Sequence, residues 1–386
     1  MPNSVAIMDF GSEKIKVMVG ARGVNNTIIV KGVGEENYTG FSKGEFFQPQ
    51  LLFDVISKAI KTAQDNAGVE IVKLYIGVPA EFSLCLTKES CYNLDRKRKI
   101  TQKDIDELYS QTADELINED YIISNIQPIY YTIDNERTLV QPIGNKTTKL
   151  NALLSIIQVD KYFVSIVDSV LAQLHIDEVE YVSSPLASAL LVLSSDIRAG
   201  GVILIDIGYL TTSVCVVKGE GLLDLKSFSL GGGHITGDLA TCLSIPFTMA
   251  ENLKKKAILS IIPNDNDVYE VVSKDVVKSF SAKTVNDIIL ERIKIFGRAI
   301  EKCLSMCEYE IPKYTPYFIT GGGISYIRGA KELLSNQLDK KIELATPTLP
   351  QADKPIYTSS YGVMNMALDE ECTTKKSFFA RLFSKQ

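Results

Sequence analysis

One pattern occurs twice in this chain and restricts its fold more than any other feature. Val5-Ala6-Ile7-Met8 runs into Asp9-Phe10-Gly11-Ser12-Glu13 and then into Ile15-Lys16-Val17-Met18-Val19. Far downstream, Gly201-Val202-Ile203-Leu204-Ile205 runs into Asp206-Ile207-Gly208-Tyr209-Leu210 and then into Thr211 to Val217. Each copy reads as an apolar strand, a D-x-G turn and a second strand. In the first copy the second strand alternates, the mark of a strand with one wet face. A repeat of this kind predicts two related lobes. At 386 residues the chain is too long for one ordinary core and suits two or three.

Between the copies the texture changes. A strand at Thr27 to Val33, a glycine-bearing loop from Gly40 to Glu45, a helix from about Pro49 to Gly68 and a buried strand at Lys73 to Val78 belong to the first lobe. From Phe82 to about Val159 come strand-like pieces (Ser83 to Leu86, Ile126 to Thr132, Leu150 to Gln158), with turn signals at Asp134-Asn135 and Pro142-Ile143-Gly144. One helix there is announced by Thr101-Gln102-Lys103-Asp104, where Asp104 serves the unpaired amides of the first turn. A helix at Asp160 to Leu174 and a strand at Val179 to Val182 return to the parent pattern. A long helix over Val285 to Glu308 carries Ile289, Ile293, Phe296, Ile300 and Leu304 at core spacing. The expected organisation is a first lobe core at 1–81 and 160–199, an inserted subdomain at 82–159, a second lobe core at 200–233 and 285–368 with its own subdomain at 234–284, a linker at 369–374 and a terminal helix at 375–386.

Composition removes several function classes. With 45% apolar and 23% charged residues the chain is globular rather than disordered. A net charge of −6 offers no basic excess to displace counterions, which argues against nucleic acid as a partner. No apolar run is long enough to span a bilayer. Met1 to Ser4 lead straight into a strand with no charged leader, so export is not expected. The seven cysteines are scattered without a C-x-x-C pair, which suits a reducing compartment and disfavours a zinc site at Cys303 and Cys307. His175 and His234 are far apart, which disfavours a histidine metal centre or a hydrolase triad.

A third glycine cluster, Thr320-Gly321-Gly322-Gly323-Ile324-Ser325 with Gly329 behind it, adds to the two D-x-G turns. Glycine lets the main chain approach a ligand and present its amides to anions. An aspartate in each turn can hold Mg²⁺ through its waters and offset phosphate charge. Asp9-x-Gly11-Ser12, Asp206-x-Gly208 and Gly321-Gly322-Gly323 resemble the two phosphate motifs and the adenosine motif of the actin, heat-shock-chaperone and sugar-kinase superfamily. Within it, the chain is similar nearly end to end to the FtsA family. The likeness extends through the Gly40 to Glu45 loop, Gln127 to Asp134, Ser184-Pro185-Leu186-Ala187-Ser188, Met249 to Lys254 and Pro355 to Gly362.

The resemblance implies an α/β, actin-like ATPase fold of two lobes with related cores, an inserted α+β subdomain and a C-terminal amphipathic helix. It implies that Gly11 and Ser12 meet the β-phosphate, that Asp9 and Asp206 face Mg²⁺ through water, and that Gly208 and Gly231-Gly232-Gly233 approach the phosphates. Glu251 and Lys254 would edge the ribose, and Gly322 and Gly323 the adenosine. Lys14, Thr211, Gly321 and Ser325 complete the nucleotide-binding set, and Asp206 is the candidate catalytic residue. Members usually continue the second motif as D-x-G-G-G-T-T-D, where this chain has Tyr209, Leu210 and Ser213, and Ser184 stands where chaperone relatives carry a water-positioning glutamate. The expectation is ATP binding with slow or absent hydrolysis.

The last residues, Lys375 to Gln386, are basic and aromatic. On a helix Phe378, Phe379, Leu382 and Phe383 fill an arc of about 140°, with Arg381 and Lys385 outside it. This is the pattern of an interfacial membrane helix, and the FtsA family ends in one. The implied partners are the C-terminal peptide of FtsZ docked on the second lobe, further copies of the chain in a polymer, other divisome proteins and the inner leaflet of the cytoplasmic membrane at the division septum. Two alternatives stay open. One is an adaptor platform like the pilus-assembly protein PilM, and the other a divergent FtsA paralogue with a degenerate ATPase site. A small-molecule kinase is disfavoured, because no acidic base for an acceptor hydroxyl stands out.

Overall fold

Each copy of the repeated pattern builds a five-stranded sheet, and the two sheets share one topology. The first runs Ile28–Asn37, Lys14–Arg22, Ser4–Phe10, Lys73–Val78, Glu178–Ser183 across its width. The second runs Gly221–Phe228, Thr212–Lys218, Val202–Ile207, Tyr317–Thr320, Ile342–Leu344. In both, three antiparallel strands are followed by two parallel ones. The parallel steps require crossovers, and helices such as Lys161–Gln173 and Ala330–Leu338 supply them. The computed structural model describes residues 4–133, 136–138, 141–273, 276–350 and 352–372.

The Lys14–Arg22 strand departs from expectation. Both of its faces are buried, including Lys16, because packed elements cover the sheet on either side. Helix Leu52–Ala67 lies so close to the neighbouring Ile28–Asn37 strand that a Cβ on Gly34 would stand 2.0 Å from the Ala59 carbonyl oxygen. The strand's apparent alternation came from one lysine with a buried role.

The inserted segment forms a four-stranded sheet in the order Ser83–Lys99, Lys146–Asp160, Tyr121–Ile133, Glu136–Thr138. Its strands are much longer than their apolar pieces suggested. Thr87 to Lys99 is polar and mostly outside the core, so no apolar periodicity marks it, yet Thr87 to Asn93 pair with Lys146–Asp160, and Arg98 and Lys99 pair with it again beyond a register shift. Helix Gln102–Asp114 begins as expected, with Asp104 accepting from the Thr101 amide at 2.8 Å. Phe10, Phe41, Phe82 and Phe163 pack edge-on and tilted into one cluster, with Phe10 and Phe163 centroids 5.2 Å apart. That cluster fixes the residue next to Asp9 from below.

Helices Ser184–Val192 and Thr358–Cys372 cross in backbone contact, since a Cβ on Gly362 would lie 2.6 Å from the Ala187 carbonyl. The second helix also corrects the expected linker. Asp369 to Cys372 are its last turn, held because Asp369 pairs with Arg22 and Glu371 accepts from Lys73 and Tyr75 at 2.8 Å each. The membrane-helix expectation at 375–386 and the Asp134-Asn135 turn lie outside the described residues.

Candidate functional site

Both D-x-G turns close in the same way. The Gly11 amide donates to the Lys14 carbonyl at 3.0 Å and the Gly208 amide to the Thr211 carbonyl at 2.9 Å. A Cβ would stand 2.9 Å from the first oxygen and 3.0 Å from the second, so each turn needs its glycine for close approach. The turns meet across the lobes where the Leu210 amide donates to Ser12 Oγ at 2.9 Å.

Between them lies a cavity of about 350 Å³, within the range of small-molecule sites. Asp9, Gly11, Ser12 and Lys14 line it from the first lobe, and Asp206, Gly208 and Thr211 face them from the second. Glu251, Lys254 and Gly321-Gly322-Gly323 complete the expected lining. Four expected residues stand outside it. The Gly231 amide donates to His234 Nδ1 at 3.0 Å, Gly232 to the Gly208 carbonyl at 2.9 Å and Gly233 to the Tyr209 carbonyl at 2.7 Å. These glycines build the wall from behind, where a Cβ on Gly232 would come within 2.3 Å of the Gly323 carbonyl. Ser325 Oγ is buried without a hydrogen-bond partner among the described residues.

The electrostatics centre on the two aspartates. Burial pushes both carboxyls up, against Ser359 Oγ, which donates to Asp9 Oδ1 at 2.7 Å. Asp206 rises to about 6, through burial first and the charge of Asp9 second. Ser184 lies close enough to steady Asp9, yet its own hydroxyl has no well-aligned hydrogen-bond partner. Two carboxyls that burial lifts, one of them further through the charge of the other, are a donor set suited to a divalent cation. Lys254 is buried and braced by Glu251 Oε2 at 2.7 Å and Thr236 Oγ1 at 2.9 Å, which makes it part of the wall as much as of any ribose contact.

Several lining residues escaped the sequence reading, among them Lys16, Glu35, Tyr326, Ile356, Tyr357 and Ser359. Glu35 bridges Lys14 at 3.0 Å and Lys16 at 2.9 Å, and these two bonds outweigh burial and hold its carboxyl below the usual range. Lys16 had a signal. It stands two residues from Lys14 in one strand, so both share a face. Ser359 had none, since only the fold brings it to Asp9. Tyr209 lines the cavity, and a Cβ on Gly233 would meet its ring at 2.9 Å.

The chain matches known proteins along most of its length. Residues 203–362 match the family described as "Cell division protein FtsA", and residues 85–158 match "SHS2 domain inserted in FTSA". Together these two FtsA profiles span more than half of the chain. Cell division protein FtsA of Pseudomonas aeruginosa is 22% identical over 94% of this chain and 89% of its own length. Its namesake from Staphylococcus epidermidis is 23% identical over 94% of this chain and 79% of its own. Among solved structures, the PilM-PilN type IV pilus biogenesis complex superposes with a TM-score of 0.61 at 15% identity, over 94% of this chain and 98% of that one. MreB5 of Spiroplasma citri bound to AMPPNP superposes at 0.55 and 11% identity, over 96% of each chain. The twin sheets, the inserted subdomain in its place and these matches lead to one statement: the chain belongs to the FtsA family of cell division proteins and has the actin-like ATPase fold.

Proposed function

We propose that this protein binds ATP with Mg²⁺ between its lobes, assembles with copies of itself, and tethers FtsZ polymers to the cytoplasmic face of the membrane at the septum. The observation that carries the nucleotide reading is the pair Asp9 and Asp206 facing one cavity from twin turns, closed by Gly321-Gly322-Gly323. Cavity charge supports the metal. Asp9, Glu13, Glu35, Asp206 and Glu251 line it against Lys14, Lys16, Lys254 and Lys255, so the walls alone do not neutralise a triphosphate. Asp9 and Asp206 would hold Mg²⁺ through its waters, and the ion would supply the charge that the lysines lack. Binding of a fluorescent ATP analogue should therefore appear with Mg²⁺ and vanish in excess EDTA. Equal binding in both conditions rejects the metal-bridged reading, and none in either rejects the nucleotide.

Hydrolysis is proposed to be slow or absent. Tyr209 fills space beside Gly233, Ser213 supplies no carboxylate, and Ser184 orients no water as a glutamate would. Phosphate release in the same mixtures should stay near the blank.

Tethering is assigned to residues 375–386. Four large apolar side chains contribute roughly 1.5–3 kcal/mol each when fully buried, and each cation near anionic lipid about 1 kcal/mol. Ordering the segment takes part of this back, so one tail binds weakly while a polymer of tails binds firmly through effective concentration. The full chain should co-sediment with anionic liposomes, and a chain ending at residue 374 should remain in the supernatant. A full chain that binds MgATP yet ignores liposomes would favour the PilM-like adaptor, whose fold is similar.

A further inference from the structure

Two consecutive hydroxyls at the start of helix Thr358–Cys372 reach into different lobes. Thr358 Oγ1 bonds Thr320 Oγ1 at 2.7 Å, fully buried, at the end of the strand that opens into the triple-glycine loop. The next residue, Ser359, donates to Asp9 Oδ1 at 2.7 Å, at the end of the first lobe's leading strand. Ser184 stands beside the same carboxylate, but Ser359 makes the short, well-aligned bond to it. A Cβ at Gly77 would crowd the same Oδ1 at 3.3 Å, so that oxygen is turned to the protein side. The bond would therefore leave Oδ2 free to face a cation held with Asp206.

We infer that Ser359 is a positioning residue for Asp9, and that with Thr358 it forms a clasp holding the Asp9 turn and the triple-glycine loop at a set spacing. The inference rests on the magnesium–nucleotide reading of this cavity and deepens it. Ser359 lines the cavity beside Asp9, and the role inferred for it acts through that carboxylate. Its hydroxyl fixes which oxygen of Asp9 faces the cation, as groups behind a metal's own ligands do elsewhere. Thr358 anchors the same turn of helix to the opposite lobe, so Ser359 cannot follow Asp9 if that side chain rotates away.

The test is a Mg²⁺ titration of fluorescent-ATP binding in wild type, Ser359→Ala and Ser359→Thr, with a thermal melt of the metal-free proteins to establish folding. Electron paramagnetic resonance of Mn²⁺ in place of Mg²⁺ gives a second readout, the fraction of metal bound. Ser359→Ala should raise the half-saturating metal concentration about tenfold, while Ser359→Thr, which keeps the hydroxyl, stays within about twofold of wild type. An alanine curve that superimposes on wild type overturns the role of Ser359 and leaves the nucleotide reading standing. A threonine variant as impaired as alanine also overturns it, because packing rather than the hydroxyl would then be at fault. A wild type with no metal-dependent binding removes both.

Discussion

Asp206→Asn is expected to give a chain that is more stable than wild type and no longer holds nucleotide through magnesium. In the free protein the Asp206 carboxyl sits near a pKa of about 6 instead of 3.8, because burial and the charge of Asp9 oppose its ionisation. The native state then binds more protons than the unfolded chain between about pH 4 and 6, so stability falls as pH rises through that window and levels off above it. A shift of this size corresponds to about 3 kcal/mol at 1.36 kcal/mol per unit. Partial exposure reduces it to about 1–3 kcal/mol. Asparagine removes that cost, and urea unfolding should show a gain that grows from pH 4 to 6 and is full at pH 7.5. Affinity for the magnesium complex should drop roughly 100-fold, since one of two carboxylates is gone. A gain independent of pH, or no gain at all, would contradict the charge-coupled pair.

The second large effect is expected at Gly321, and it separates backbone strain from crowding. Gly321 has φ +88° and Gly144 has φ +87°, so alanine meets the same left-handed penalty at both. At Gly144 the added methyl has nothing within 4 Å. At Gly321 it would stand 2.2 Å from Asp206 Oδ1 and 2.4 Å from the Ile207 carbonyl oxygen. Gly144→Ala should cost about 1 kcal/mol and leave nucleotide binding intact. Gly321→Ala should cost about 3–4 kcal/mol once overpacking is added, and it should abolish magnesium-dependent binding by displacing the Asp206 carboxylate. Similar urea midpoints for the two variants would mean that the loop relaxes freely and that the cavity does not depend on its shape.

The parts of the site that were legible in the sequence are those that local geometry dictates. A D-x-G turn between strands needs its glycine whatever surrounds it, and Gly11 and Gly208 close identical bonds because the same short-range constraint acts on both. Lys14 could be placed by the motif, and Lys16 by its spacing from it. Gly231-Gly232-Gly233 was legible as a close-approach segment but not in its destination, since a glycine run looks the same whether it nears a phosphate or another loop. The long polar strand from Thr87 to Lys99 went unseen because a wet sheet surface carries no apolar period. Asp369 to Cys372 looked like a linker because their carboxylates seem solvent-seeking until Arg22 and Lys73 are brought beside them.

What the sequence determined by itself was the double plan: two strand–turn–strand units, hence two sheets of one topology, with an aspartate at the same place in each. What only the tertiary structure decided was which groups converge on those aspartates. Ser359 reaches Asp9 from 350 positions away, and Glu35 ties two lysines of a neighbouring strand. Turns and periodicities are set by contacts between residues close in sequence, which the order of residues records directly. The charge state and aim of a buried carboxylate are set by distant partners and by lost water, and neither exists until the lobes have closed around it.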